Sequence, residues 1–386
     1  MKHVTKKKKT FNKIEKNPSL LGFGCMRFPL LDEEDSTSID EARAEAMIDF
    51  AYKRGVNYFD TAYPYHGGAS EPFMGRVLKK YPRDRFYLAS KMPGWEVETL
   101  DDVKRIFDEQ LKRCQVDYFD YYLCHALSEK NLEVYKIPGV MAYLSALKAE
   151  GKIKYLGFSF HDTPAVLEEI IAYHDWDFVQ LQINYLDWDF QDAKRQYALA
   201  KEAGLPVIVM EPVRGGTLAH LSKPAAQLLK HHHPKLSIAS WAMRYVASLD
   251  QVICVLSGMS NQEQTLDNIE TLTDFKPLDH KEEDTLSKAL AIFLESRIIP
   301  CTKCNYCMPC PYGVDIPKVF DIYNQYKIDE KENFFNHRYE AIDAKKRADQ
   351  CVSCQECLEK CPQHIDIPTL MGEIDRFYQK IKAAKT

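Results

Sequence analysis

The chain has 386 residues, of which 45% are hydrophobic and 28% are charged, a composition that allows two or three soluble domains with sizeable cores. Its formal net charge of −5 gives no basic excess of the kind that nucleic-acid-binding proteins carry. No stretch reaches the roughly 18 apolar residues that a membrane helix needs, and polar residues interrupt the start where a secretory signal would be apolar, so we expect a cytoplasmic protein.

Residues 1–17 carry the one strong run of like charge, formed by Lys2, Lys6–Lys9, Lys13 and Lys16. Blocks of like charge are usually disordered, because their members repel one another. The sequence therefore predicts a basic flexible tail, and a docking arm for an acidic partner is the alternative.

Residues 18–276 alternate short apolar runs with longer periodic segments. The runs read as buried parallel strands, and they cover 21–26, 56–59, 85–90, 117–124, 153–159, 178–183, 206–210 and 252–256. The periodic segments read as helices, and they cover 39–54, 69–80, 98–113, 136–150, 163–173, 190–203, 237–249 and 262–273. Strict alternation predicts an α/β fold of the (β/α)8 TIM-barrel type. A doubly wound sheet would more often carry a G-x-G-x-x-G turn, which the sequence lacks.

Residues 277–300 read as a connecting helix, and residues 301–386 form a cysteine-rich module. Eight of the twelve cysteines lie in two runs, CTKCNYCMPCP from Cys301 and CVSCQECLEKCP from Cys351. Each run is followed by a similar phrase, GVDIP (313–317) or HIDIP (364–368), which indicates an internal duplication. Because a cytosolic chain keeps its thiols reduced, clustered cysteines there are more often metal ligands than disulfides.

The spacing of the two runs favours two [4Fe–4S] clusters. In two-cluster ferredoxins, the cysteine that precedes proline binds the other cluster from the three before it. One cluster is thereby assigned to Cys301, Cys304, Cys307 and Cys361, and the other to Cys351, Cys354, Cys357 and Cys310. Two zinc sites are the alternative, although zinc usually takes two separated cysteine pairs. The helical linker between the runs predicts an α-helical ferredoxin-like domain.

Four polar residues directly follow predicted strands, where barrel enzymes place their chemistry. They are Asp60, Tyr65, Lys91 and His125. An acid, a phenol, an ammonium and an imidazole at the ends of three neighbouring strands predict one catalytic site.

The segments GFGCMRFP, FDTAYPY, DYYLCH and SGMSNQEQTLDN, together with the strand that ends in Lys91, resemble those of the aldo-keto reductases. The resemblance spans about residues 18–275, and with the cysteine runs it resembles the ferredoxin-fused subgroup. It implies NAD(P)H-dependent reduction of a small carbonyl substrate, or oxidation of an alcohol. It also implies that Tyr65 donates the proton and that Lys91 lowers the pKa of Tyr65. Asp60 would hold Lys91, and His125 would orient the substrate oxygen.

The resemblance also implies a set of cofactor contacts. They are Gly24, Met26, Ser159, Gln182, Glu211, Pro212, Gly215, Gly216, Gly258, Ser260, Gln264 and Asn268. Phe160 stands where the family typically has asparagine, which puts one amide contact in doubt. A 2′-phosphate needs a nearby Arg or Lys. The segment GMSNQEQ offers none, which favours NADH unless Arg27 or Arg214 reaches the site.

The sequence leaves the role of the clusters open. They could transfer electrons to a bound flavin or to a partner protein, but no flavin signature supports the first. They could instead be structural or redox-sensing. A redox-regulated binding protein on the same scaffold is the alternative function, and the substrate is not predictable from loops of unknown shape.

Overall fold

The computed structural model describes residues 3–7, 9–11 and 13–383. Within them, eight strands close into a parallel barrel in which each strand pairs with the next and the last pairs with the first. The strands are β1 (Leu21–Gly24), β2 (Tyr58–Asp60), β3 (Tyr87–Met92), β4 (Phe119–Leu127), β5 (Ile153–Phe160), β6 (Phe178–Gln182), β7 (Val207–Met210) and β8 (Val252–Ser257). The predicted (β/α)8 barrel is confirmed.

Fifteen α-helices lie within the described ranges. They are α1 (Glu41–Lys53), α2 (Ser70–Leu78), α3 (Leu100–Cys114), α4 (Glu129–Lys136), α5 (Val140–Ala149), α6 (Pro164–Tyr173), α7 (Asp187–Phe190), α8 (Ala193–Glu202), α9 (Lys223–His232), α10 (Ile238–Ser248), α11 (Gln262–Leu272), α12 (His280–Leu294), α13 (Ile316–Asp329), α14 (Glu332–Glu340) and α15 (Ile367–Ala383). Nowhere in this part of the chain does a helix combine the length and apolar character needed to cross a bilayer.

Several helical segments differ from the sequence prediction, among them the short α7, which was not predicted. The helix predicted over 136–150 is α5, which begins only at Val140, and the prediction missed α4 before it, from which Pro138 and Gly139 separate it. Gly139 has a φ of 90°, which glycine adopts more readily than other residues. The sequence reading missed α9 altogether, although Pro224 in its first turn is a helix-start signal.

The described part of the N-terminal segment packs against the barrel. Val4 pairs with Thr273 across a β-bridge. Phe11 and Ile14 are buried in one core cluster with side chains of the barrel strands. The apolar residues between the lysines share this cluster with Tyr58 and Phe178, the first residues of β2 and β6. Lys2 and Lys8 lie outside the described residues.

Contacts divide the chain into two compact units. The first comprises 1–212 and 240–278, and the second comprises 213–239 and 279–386. The second unit thus includes α9, which packs on α12. Just after α9, His233 Nε2 lies 2.7 Å from Oε1 of the buried Glu282. Helices α13, α14 and α15 enclose its apolar core, against which six of the clustered cysteines pack. The predicted α-helical ferredoxin-like region is confirmed.

Candidate active site and cysteine runs

The Lys91 ammonium is the centre of the polar site in the first unit. Its Nζ lies 2.8 Å from Asp60 Oδ1, 2.8 Å from the Thr61 carbonyl oxygen and 3.3 Å from the Tyr65 hydroxyl oxygen. Lys91 is fully buried, and Asp60 and Tyr65 are nearly so. A buried ammonium needs such partners, because water no longer compensates its charge. The structure therefore brings together the acid, the ammonium and the phenol that the sequence placed after β2 and β3.

A buried network behind Lys91 was missed by sequence reasoning. The Gln110 amide donates to the Lys91 carbonyl oxygen at 3.0 Å, to Ser90 Oγ at 2.9 Å and to Glu71 at 2.7 Å. The Ser90 hydroxyl also donates to Glu71 at 2.6 Å. These bonds fix the backbone of β3 where it presents Lys91. A glutamate and a glutamine on the inner faces of α2 and α3 are the signals that could have revealed it.

The Tyr65 phenol is protonated at neutral pH. Burial raises its pKa well above the usual value, and the carboxylates of Asp60 and Glu211 add to the rise. Arg27 acts in the opposite direction without offsetting this rise, and a lowering effect of Lys91 stays a prediction. A protonated phenol is nevertheless the form that can donate a proton.

His125 lies near the end of β4, beside a register shift between Cys124 and Leu127. Burial lowers its pKa well below the usual value, and Lys91 and His161 contribute in the same direction, so the imidazole is neutral. Its ring centroid lies 5.0 Å from that of the half-exposed Trp95 and 6.2 Å from that of Tyr65. The rings of Tyr65 and Trp95 thus both lie close to the imidazole of His125.

The predicted cofactor contacts of the first unit follow several different strands. The Ser159 hydroxyl at the end of β5 accepts from the Ala126 amide at 2.8 Å. The Gln182 amide at the end of β6 donates to Asp187 at 2.8 Å. The remaining members lie at the end of β1 or after β1, β7 and β8, and are Gly24, Met26, Glu211, Pro212, Gly258, Ser260, Gln264 and Asn268.

Glycines at the ends of β1 and β8 leave little space around their α-carbons. A β-carbon on Gly24 would lie 3.3 Å from the Gly258 nitrogen, and one on Gly258 would lie 2.9 Å from the Arg27 side chain. The Ser260 hydroxyl donates to the Arg27 carbonyl oxygen at 2.9 Å. Arg27 Nη2 lies 3.2 Å from Glu211 Oε1. These glycines, polar groups and one arginine fit a dinucleotide with its negatively charged phosphates.

Gly215 and Gly216 belong to the second unit, as does Arg214. Arg214 is fully buried, and its Nη2 donates to Gln363 Oε1 at 3.2 Å. Arg214 is therefore engaged within its own unit, whereas Arg27 lies beside the ends of β1 and β8.

The two cysteine runs share one backbone conformation. The residues on either side of the second cysteine have positive φ in both runs, namely Lys303 (56°), Asn305 (63°), Ser353 (57°) and Gln355 (69°). The Lys303 amide donates to Cys301 Sγ at 3.4 Å. Alternation of this kind turns backbone amides toward a common centre, as in many iron–sulfur sites. After each run, an aspartate caps the next helix and a proline enters its first turn, as in Asp315–Pro317 before α13.

The thiols are grouped as three from one run and one from the other. Burial raises the pKa of Cys301 to about 11, and the nearby Cys304 and Cys361 add to the rise. Burial likewise raises the pKa of Cys307, which is affected by the same neighbours. The second group is equivalent, since burial raises the pKa of Cys357 to about 11 and Cys351, Cys354 and Cys310 add to it.

The spacing of the thiols suits a cluster better than a single ion. Within the described ranges, no three Cys, His, Asp or Glu side chains are placed to hold one metal ion, whereas zinc requires four ligands at about 2.3 Å from one centre. Instead, Cys310, Cys351, Cys354 and Cys357 line one pocket, together with Cys307 of the first group. Thiols around such a pocket fit the corners of a four-iron cube. The four cysteines outside the two runs are buried, unlike the eight within them. They are Cys25, Cys114, Cys124 and Cys254.

Comparison with known proteins agrees with this geometry. The model of the aldo/keto reductase family matches residues 20–291. The chain belongs to the aldo/keto reductase family. A 4Fe-4S dicluster domain matches residues 300–365. The chain is accordingly an aldo-keto reductase-type oxidoreductase that carries an iron–sulfur domain.

Three similar proteins illustrate the relationship. A probable aldo-keto reductase from Glycine max is 28% identical over 51% of this chain and 57% of its own length. The L-galactose dehydrogenase of Arabidopsis thaliana is 28% identical over 71% of this chain and 90% of its own. The solved aldo-keto reductase AKR11C1 from Bacillus halodurans, in its holo form, superposes with a TM-score of 0.60 and 26% identity, over 74% of this chain and 96% of its own.

Proposed function

We propose that this oxidoreductase uses NAD(P)H to interconvert a small carbonyl compound and the corresponding alcohol. The observation that carries the proposal is the distance of 3.3 Å between Lys91 Nζ and the Tyr65 hydroxyl oxygen, with Asp60 at 2.8 Å on the other side of the ammonium. Family membership supports the same chemistry, and the relative named a dehydrogenase is consistent with the alcohol as substrate.

Each polar residue then has a role in the reaction. The nicotinamide supplies the hydride when it is bound. Tyr65 donates its proton to the substrate oxygen as negative charge develops there, and in the reverse direction it receives that proton. The Lys91 ammonium stabilises the phenolate left on Tyr65, and Asp60 holds the ammonium in place. The neutral His125 donates a hydrogen bond to the same substrate oxygen.

The proposed reductant is NADH rather than NADPH. A 2′-phosphate carries extra negative charge and is bound best beside a free basic side chain. The segment GMSNQEQ has no basic residue, Arg27 is paired with Glu211, and Arg214 is buried in the second unit. A higher kcat/KM with NADH than with NADPH supports this assignment, and the reverse order contradicts it.

For the eight clustered cysteines we propose two [4Fe–4S] clusters that transfer electrons, in a chain that works in a reducing cytoplasm. A hydride carries two electrons, whereas each cluster accepts one, so a bound flavin or an electron-transfer partner would have to divide the pair. Rapid anaerobic mixing with NADH should then reduce the clusters and bleach their absorbance. Clusters that stay oxidised through many turnovers would favour a structural or sensing role.

Tyr65→Phe tests the enzymatic proposal against a binding protein on the same scaffold. It should lower kcat by about 10²-fold or more, since a positioned acid contributes roughly 10²–10⁴-fold, and NADH should still bind. Tyr63→Phe is a matched control, because the Tyr63 hydroxyl donates to Glu109. Unchanged turnover in Tyr65→Phe would contradict the proposed role of the phenol. A chain that binds NADH but turns over no carbonyl or alcohol would support the binding protein.

A further inference from the structure

The turn that follows β7 has an unusual backbone. Arg214, Gly215 and Gly216 have φ values of 51°, 61° and 92°, and the turn is closed by hydrogen bonds from the Gly216 and Leu218 amides to the Val213 carbonyl oxygen. Glycine adopts positive φ easily, whereas a side chain such as that of Arg214 does so at a cost. Such conformations persist where the surroundings fix them, often at functional sites.

This turn contacts two residues that lie close in sequence to ligands of one proposed cluster. The α-carbon of Gly215 faces Thr302, so closely that a β-carbon would lie 2.1 Å from the Thr302 carbonyl oxygen. Thr302 directly follows Cys301. Arg214 Nη2 donates to Gln363 Oε1 at 3.2 Å, and Gln363 lies two residues after Cys361. Cys301 and Cys361 belong to the same group of four thiols, so both of these contacts lie beside that group.

The Arg214 side chain brings a permanent positive charge into this region. Arginine stays protonated in proteins, and Arg214 has none of its surface exposed. Away from water, a charge acts on its surroundings more strongly and over a longer distance. The sequence analysis considered this arginine only as a nucleotide contact, and its engagement with Gln363 leaves that function without support.

We propose that Arg214 raises the reduction potential of the cluster held by Cys301, Cys304, Cys307 and Cys361. The inference rests on the proposed cluster assignment. A cluster bound by four thiolates is negatively charged, and one-electron reduction adds one further negative charge. A fixed cation nearby stabilises the reduced form more than the oxidised form, and net charge near a cluster is one determinant of its potential.

The second group of thiols has different surroundings, because Lys360 lines the same pocket as these thiols and one thiol of the group is exposed. Cys354, one of its four proposed ligands, is exposed, and water screens charges around it. The two halves of the duplicated module therefore differ, although their backbones follow the same path. An electron that enters the module should reside preferentially on the cluster beside Arg214.

Redox titration of the full chain, loaded with both clusters and followed by electron paramagnetic resonance, tests the proposal. Dithionite in the presence of mediators supplies the electrons. Arg214→Gln should shift one of the two midpoint potentials to a more negative value and leave the other unchanged. Arg214→Lys, which keeps the charge, should retain most of the original potential. Lys288→Gln removes an exposed charge of the same unit and should shift neither.

Gln363→Glu is an independent variant that keeps Arg214 in place. Its carboxylate would offset the guanidinium, so the same potential should become more negative. Equal potentials in wild type and Arg214→Gln, or the same shift in Arg214→Lys as in Arg214→Gln, would overturn the proposal. If the Arg214 variants fail to hold iron, an unchanged midpoint potential in Gln363→Glu would by itself overturn the proposal. Wild-type protein without iron and sulfide would contradict the cluster assignment itself, and this inference with it.

Discussion

At the residue scale, the pair formed by Asp60 and Lys91 links stability to chemistry. Their side chains are 4% and 0% exposed, and the charged atoms lie 2.8 Å apart. Lys91→Met leaves the Asp60 carboxylate buried without its counter-ion, which typically costs about 3–5 kcal/mol. We expect that loss in the free energy of unfolding by urea, together with loss of turnover.

The double variant Asp60→Asn/Lys91→Met separates the two effects. It removes both charges, so it should recover much of the lost stability while staying inactive. If Lys91→Met is as stable as the double variant, the carboxylate is not left charged in the single variant, and the argument from burial is wrong.

The buried site also predicts the pH dependence of reduction. Burial lowers the pKa of His125 and raises that of Tyr65. His125 therefore stays neutral as the pH falls through the usual range near 6.5, and Tyr65 stays protonated as the pH rises toward 10. We expect kcat/KM for carbonyl reduction, measured under anaerobic conditions, to change little between about pH 6 and pH 9 on account of these groups. A fall with a midpoint between pH 7 and 9 that is absent in Tyr65→Phe would show that the phenol is acidic after all.

At the scale of elements, the N-terminal segment is a structural part of the barrel. Ile14 is 2% exposed and packs among the strands. Ile14→Ala should lower the free energy of unfolding by about 2–5 kcal/mol, the usual cost of truncating a buried aliphatic side chain. Lys16→Ala, at an exposed position nearby, is the control and should change stability by less than about 0.5 kcal/mol. Equal effects of the two substitutions would mean that the segment does not pack in solution as described.

The strand pattern was predictable because parallel strands buried on both faces are continuously apolar. Asp60, Lys91 and His125 could be placed for the same reason, since each directly follows such a run. The contacts of Phe11 and Ile14 were not predicted, because charge density does not reveal which apolar residues become buried. The network of Glu71 and Gln110 was missed because tertiary contacts, not spacing, bring α2 and α3 together.

Turns were less predictable than strands. The segment EPVRGG read as one cofactor loop, yet Gly215 and Gly216 belong to the unit that contains the cysteines. Nothing in the local sequence indicates that Gly215 is needed for the approach of Thr302, because the two residues are far apart in the chain. Long-range contacts of this kind become visible only in the structure.

At the scale of the whole molecule, the chain combines two units with separate cores. The barrel core consists of aliphatic and aromatic side chains of the strands. In the second unit, Cys301, Cys307, Cys310, Cys351, Cys357 and Cys361 themselves pack against the core. The bound clusters would therefore contribute to the stability of the second unit directly, because metal binding free energy is folding free energy where the site forms only in the folded state.

Anaerobic removal of iron with a chelator should accordingly affect the two units differently. Amide hydrogen exchange, measured on peptides by mass spectrometry, should accelerate in residues 301–381, where the loops between the cysteines lose the group around which they fold. The strands β1 to β6 should keep their protection, because they belong to the first unit, which has a core of its own. The same incubation without chelator is the control. Unchanged exchange in the cysteine runs after complete iron loss would show that α13, α14 and α15 hold the module without clusters, and would leave electron transfer as the remaining reason for their presence.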